Sequence, residues 1–265
     1  MVARVRHSTA KLDEHPLQKD KAIRLGHPSY VWGFGQERRL DLIRRYASLE
    51  GQSILDVGCG VGTYVQAFRR FSQDVYGIDI DEDKVIEASR ELPNLSVASA
   101  EDLPFPEGVF DVVLSHEVIE HVQDDHRAVA EAVRVLRRPS VATGSPGGRL
   151  VIFAPNRLYP FETHGAYWGG DYHFGNIPLV NYLPDRWRNR FCPHVRAYTV
   201  QDLRQLIAGL PVQVVVHTQV FPGYDKIVHR YGALGRGLRR VTYFLEETPL
   251  RRFGLSHFLV VEKTV

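Results

Sequence analysis

The stretch ILDVGCGVGTY, residues 54–64, decides the reading of this chain. Ile54 to Val57 is a short apolar run rich in β-branched residues, of the kind that forms a buried strand, and Thr63 and Tyr64 open the helical pattern TYVQAFRRF (63–71). Between them stand Gly58, Gly60 and Gly62, and a carboxylate, Asp56, lies two positions before the first glycine. Glycine lacks a Cβ, so it accepts positive φ and lets a ligand touch the main chain. The helix that follows offers unpaired N–H groups and a partial positive charge, which suits an anion or a carboxylate. Dinucleotide binders place GxGxxG at the same turn. Here the third position of that pattern is Thr63 and the motif is DxGxGxG, an arrangement that favours a nucleoside with an amino acid tail.

Working outward, four more short apolar runs follow: DVYGID (74–79), LSVAS (95–99), FDVVLS (110–115) and RLVIFA (149–154). The segments TYVQAFRRF, DKVIEASREL (83–92) and HRAVAEAVRVLRR (126–138) read as helices between them. Repeated βαβ order demands a parallel sheet with right-handed crossovers, which makes the class α/β. Upstream, WGFGQERRLDLIRRY (32–46) spaces Leu40, Ile43 and Tyr46 for an amphipathic helix that caps the sheet. Downstream, regularity stops after Pro155. Residues 157–197, rich in aromatics, proline, glycine and histidine, exceed an ordinary connection and read as a lid insert after strand 5. A helix at TVQDLRQLIAGL (199–210), a strand at VQVVVHTQV (212–220), a basic helical insert over 226–254 and a last strand at HFLVVEK (257–263) complete the chain.

With 265 residues, 44% hydrophobic and 24% charged, the chain fits one core: a single domain over 31–265 behind a flexible N-terminal arm over 1–30. A net charge of +2 requires no nucleic-acid partner. The absence of a long apolar run and of a signal-peptide core predicts a cytoplasmic protein. The two cysteines, Cys59 and Cys192, form no CxxC pair, so reduced thiols are expected.

The segment 54–64 resembles motif I of class I S-adenosylmethionine-dependent methyltransferases, and residues 50–155 are similar to the type-11 methyltransferase group. The resemblance implies a Rossmann-like three-layer sandwich with a seven-stranded, mostly parallel sheet of order 3-2-1-4-5-7-6, the last strand antiparallel. It implies S-adenosyl-L-methionine as cofactor. Asp56 and the backbone of Gly58, Cys59, Gly60 and Gly62 would hold the methionine amino and carboxylate groups, Asp79 the ribose, and Ile80 one adenine face. The segment ASAEDLPFPEGVFDVV (98–113) is similar to the family's adenine-edge segment, but Ser99 stands where Asp is common, so Ser99, the Ala100 backbone and Glu101 would share the adenine amino group. LSHEVIEHV (114–122) resembles the motif after strand four, which sets Ser115, His116 and Glu117 near the reacting methyl.

That resemblance makes methyl transfer to a small-molecule, glycan or lipid-linked acceptor the expected activity. A hydroxyl acceptor needs a base, and a neutral histidine can serve near pH 7. The insert offers Glu162, His164 and His173 among Tyr159, Phe161, Tyr167, Trp168 and Tyr172. His164 is the first candidate base and His116 the second; His121, in the EHV turn, serves as a third candidate or as a structural histidine. Glu162 and His164 share a face if extended and resemble half of a metal site, but no further pair at ligand spacing supports it, so no metal is expected. The stretch 226–254, with seven Arg or Lys and two Glu, reads as a helix packed on the sheet or as a peripheral membrane contact. Two other readings stand beside the enzyme: a non-catalytic S-adenosylmethionine-binding protein and a nucleotide-dependent oxidoreductase. The oligomeric state is not encoded in any motif.

Overall fold

The computed structural model describes residues 32–265; the arm expected over 1–30 lies outside the described residues. The chain opens with helix α1 (Phe34–Tyr46), then alternates β1 (Ile54–Val57), α2 (Thr63–Phe68), β2 (Val75–Asp79), α3 (Glu82–Ala88), β3 (Leu95–Val97), β4 (Val112–His116), α4 (Asp125–Arg134) and β5 (Arg149–Pro155). After an insert come α6 (Val200–Leu206), β10 (Val212–Val220), α7 (Asp225–Tyr231), α8 (Ala233–Leu245) and β11 (Ser256–Lys263).

Seven of these strands form one sheet of order β10-β11-β5-β4-β1-β2-β3. Counting only its own strands, this is the expected 3-2-1-4-5-7-6. β1 pairs in parallel with both β2 and β4, and β4 with β5, whereas β11 runs antiparallel between β5 and β10. Chain order reverses on either side of β1, so a crevice opens beyond its carboxyl end, where ligands bind in open α/β sheets.

Side-chain alternation builds a core on each face. Leu55, Val113, Leu150, Ile152, Leu259 and Val261 face α4 and α6 through Val129, Val133 and Leu203. Their neighbours Ile54, Val112, Leu114, Val151, Phe153, Phe258 and Val260 face α1 and α2 through Leu40, Ile43, Val65 and Phe68. A period of two sets every second residue on one layer, so a one-residue slip would exchange the two sets and break the packing on both faces.

Three expectations are corrected. The third strand ends at Val97, two residues short, because Ser99 closes a tight turn with Asp102. The insert is not irregular: β6 (Phe161–Glu162) pairs with β9 (Ile177–Pro178), β7 (Ala166–Trp168) with β8 (Asp171–His173), and a helix, α5 (Asp185–Phe191), follows. The basic stretch is not one helix: α7 and α8 are broken at Gly232, whose φ of 51° and ψ of −111° no helix tolerates, and a 3-10 helix (Pro249–Phe253) follows. Among the described residues no helix is long and apolar enough to cross a membrane.

Candidate active site

The crevice beyond β1 is lined first by the glycine turn. Gly58, Gly60 and Gly62 have φ of 72°, 54° and 78°, the left-handed region that only glycine enters without strain. At Gly58 space adds a second demand, since a Cβ there would collide with Val118 of the turn after β4. The turns after β1 and β4 are therefore in contact. Asp79, at the end of β2, ties the constellation together: Oδ2 accepts from the Gly60 N–H at 2.8 Å and Oδ1 from the Asp81 N–H at 2.8 Å. Asp81 caps α3 through the Asp83 N–H. Asp56 is buried, and burial, then the charge of Asp79, raises its carboxyl well above the usual range. Burial likewise pushes the Cys59 thiol up, with Asp56 adding to it. Ile80 instead stands 59% exposed, an apolar surface turned to solvent at the mouth of the crevice.

On the far side of β2, Ser99 Oγ donates to Glu101 Oε2 at 3.3 Å and accepts from the Glu101 N–H at 3.2 Å. The other Glu101 oxygen accepts from the Asp124 N–H, and its carbonyl accepts from Arg127 Nε at 2.7 Å. Glu101 thus fastens this turn to the start of α4. Ala100 turns into the core with Val57, Ser115 and Ile119.

At the end of β4, Ser115 is 4% exposed and its Oγ has no hydrogen-bond partner among the described residues. His116 is packed between Tyr64 and Phe153, with ring centroids 4.8 and 5.1 Å away. Arg39 of α1 sets Nη1 2.6 Å from His116 Nε2 and donates through Nη2 to Ser256 Oγ at 2.9 Å. Burial, then the Arg39 charge, drives the His116 pKa down to about 3. His116 is therefore neutral, but the lone pair on Nε2 already accepts from the guanidinium, which corrects its standing as a candidate base. Glu117, at φ 56°, accepts from Ser256 Oγ at 2.6 Å. Burial opposes its charge, yet Arg39 at 3.6 Å holds its carboxyl below the ordinary range.

The insert delivers His164 to the same place. Its Nδ1 lies 3.0 Å from Glu162 Oε1, which also accepts the His164 N–H at 3.0 Å. Glu162 is fixed from behind by Arg188 Nη2 at 2.6 Å. Burial opposes its ionisation, but His164 and Arg188 bring its pKa down to about 2. The other ring nitrogen, Nε2, faces Glu120 Oε1 at 3.9 Å, and the His121 ring sits 5.2 Å away, edge to face. Glu120 is 1% exposed and neither of its oxygens has a hydrogen-bond partner among the described residues. Burial, then the Glu117 charge, raises its carboxyl well above the usual range. Burial, then His164, lowers His121 to about 3. His173 is exposed on β8 and is not among the residues that converge here. The expected aromatic wall also divides: Tyr167 and Tyr172 pack with His194, while Trp168 stacks on Phe191 and stays 68% exposed.

The structure thus brings His121 and His164 together and sets His116 apart behind Arg39. The sequence reading passed over Glu120, Arg39 and Arg188. For Glu120 a signal existed, since it directly precedes His121 and so supplies the second donor pair that Glu162 and His164 lacked. The expectation of no metal rested on the absence of such a pair; one ligand atom each from Glu120, His121 and His164 in fact lie within 4.8 Å of one another.

A family model described as a methyltransferase domain matches residues 55–143. A ubiquinone biosynthesis O-methyltransferase of Mesorhizobium japonicum is 31% identical over 225 residues, 82% of this chain and 80% of that one. A probable S-adenosylmethionine-dependent methyltransferase of Mycolicibacterium smegmatis is 33% identical over 110 residues, 41% of this chain; the chain spans only 40% of that relative's length. Among solved structures, an S-adenosylmethionine-dependent methyltransferase from Mesorhizobium loti superposes with a TM-score of 0.58 at 15% identity, covering 87% of this chain and 98% of its own. At that identity the likeness shows the fold alone.

Proposed function

The chain belongs to the class I S-adenosylmethionine-dependent methyltransferases, and on that premise we propose that it transfers a methyl group from S-adenosylmethionine to a hydroxyl oxygen of a small-molecule acceptor. The observation that carries the cofactor part is Asp79, whose carboxylate joins the glycine turn after β1 to the start of α3 through the Gly60 and Asp81 N–H groups. A main-chain cradle beside two buried carboxylates, Asp56 and Asp79, suits a ligand with an anionic carboxylate and two cationic centres, an ammonium and a sulfonium. In this assignment Asp56 and the main chain from Gly58 through Cys59 and Gly60 to Gly62 hold the methionine end, Asp79 the ribose hydroxyls and Ile80 an adenine face. Ser99 and the Ala100 main chain meet the adenine edge while Glu101 braces their turn, and Ser115 lies beneath the sulfonium.

S-adenosylmethionine, when bound, supplies a methyl already activated by the sulfonium. The protein's remaining task is to set the acceptor in line, at about 3 to 3.5 Å, and to exclude water. Residues 157–197 act as the lid of that site. A hydroxyl is favoured because its proton must leave, and the buried group Glu120, His121 and His164 is where the chain can meet that demand.

Calorimetric titration with S-adenosylhomocysteine, with NADH as the comparison, tests the cofactor assignment. Asp79→Ala should weaken S-adenosylhomocysteine by about 10- to 100-fold, the scale of losing charge-assisted hydrogen bonds. Affinity unchanged in the variant, or binding of NADH alone, would overturn it.

A further inference from the structure

We propose that Glu120, His121 and His164 bind one divalent first-row transition cation, of the zinc or cobalt type, beside the acceptor position. Its binding stands on the geometry alone; its use in catalysis rests on the methyl-transfer reading above.

Three donor atoms from two distant segments converge to within 4.8 Å of one another. Bonds of about 2.0 to 2.2 Å would put tetrahedral donors about 3.3 Å apart, so a contraction of roughly 1 to 1.5 Å completes the site. Glu120 is 1% exposed with both oxygens unpartnered among the described residues, and His121 Nδ1 is likewise buried and unpartnered. A proton would answer for one of these orphaned atoms; a cation answers for several at once. The His164 ring is already turned for the purpose. Glu162 holds its Nδ1 at 3.0 Å, which directs Nε2 toward Glu120, and a carboxylate on the far nitrogen of a ligating imidazole is the usual support of a protein metal site. Two imidazoles and one carboxylate suit a borderline transition ion better than Mg2+, which prefers oxygen donors and keeps its waters.

Three protein ligands leave a position open to the cleft that Glu120 and His121 share with Val122, His194 and Arg196. An acceptor hydroxyl bound there is acidified by the cation held on Glu120, His121 and His164, and its proton passes to water in this cleft before the lid excludes water from the cofactor side. Its oxygen lone pair then forms the bond to the methyl carbon, and the electron pair of the broken carbon–sulfur bond stays on sulfur. His164 then serves as a ligand, not as the proton acceptor.

The test is titration of the chelator-stripped full chain with Co2+, read by visible absorbance and by the Zn2+ needed to displace it, with Mg2+ as comparison. One equivalent should bind, Zn2+ should displace it, and Mg2+ should compete at least 100-fold less well. Glu120→Gln and His164→Asn should each weaken Co2+ at least tenfold, while His173→Asn, on the exposed β8, should leave it unchanged. Circular dichroism and S-adenosylhomocysteine titration on each variant show whether it is folded; two variants are used so that one can fail to fold without ending the test. No stoichiometric Co2+ in the wild-type chain, or equal affinity in a folded ligand variant, overturns the site. Cobalt bound without S-adenosylhomocysteine affinity would keep the site and sink the methyltransferase reading instead.

Discussion

Arg188 is 2% exposed, and each of its guanidinium nitrogens donates: Nη2 to Glu162 Oε2 at 2.6 Å, Nε to Asn181 Oδ1 at 3.2 Å and Nη1 to the Val195 carbonyl at 2.9 Å. One side chain therefore joins β6, the turn before α5 and the segment after it, and at the same time holds the carboxylate that orients His164. Removing it strips Glu162 Oε2 of its guanidinium and leaves a buried carboxylate held by His164 alone. We expect Arg188→Met to lower stability by about 3 to 5 kcal/mol, as for other buried pairs broken on one side, and the double variant Arg188→Met/Glu162→Leu to lose less, because no orphaned charge remains. Urea unfolding measures both. A loss in the single variant no larger than the roughly 1 kcal/mol of an exposed pair would show that something else fixes the insert.

At the scale of the element, β10 and β11 carry a pH-sensitive seam. His217 Nε2 lies 3.2 Å from His257 Nδ1 across the two strands, and His257 Nε2 faces the Tyr198 carbonyl at 2.9 Å. Burial, then His257, lowers His217 to about 4, and burial also lowers His257. A histidine of the unfolded chain titrates near about 6.5. Between these values the unfolded state binds the extra proton, so the stability due to His217 is complete above pH 6.5 and is lost as the pH falls toward 4. The urea midpoint of His217→Gln should thus fall less steeply over that window than that of the wild-type chain; equal slopes would assign the acid loss to other groups. Both strands were legible beforehand, β10 to the residue, because β-branched apolar runs between turn signals announce strands, here even for the partly exposed edge strand β10. The ribbons of the insert were not, since strands of two and three residues are too short to show a period. A trace was present in Gly169 and Gly170, whose φ of 63° and 98° make the tight turn between β7 and β8, but the surrounding aromatics read as a lid.

Across the whole molecule, the proposed cofactor half of the site was readable and the acceptor half was not, for one physical reason. Asp56, the three glycines and Asp79 sit on consecutive βα turns, so local pattern places them. Glu120, His121 and His164 meet only because β4 ends under the insert and the insert is held by Glu162 and Arg188, a convergence no local pattern carries. Arg39 is of the same kind, reaching from α1 to occupy His116 and join Ser256 to the end of β4. Because the crevice is assembled from β1, β2, β4, α1 and the insert, a ligand that fills it should stabilise the chain as one unit. Binding to the folded state alone adds about 2.7 kcal/mol at 100 times Kd, and 1 kcal/mol moves Tm by about 2 to 4 °C in a chain of this size. S-adenosylhomocysteine at that excess should therefore raise Tm by about 5 to 11 °C in a single transition. Asp79→Ala, about 10- to 100-fold weaker, should show about half to one sixth of that shift at the same concentration, and NADH none. Two separated transitions, with only one moved by the ligand, would mean that the insert folds apart from the sheet and that the lid assignment for 157–197 is wrong.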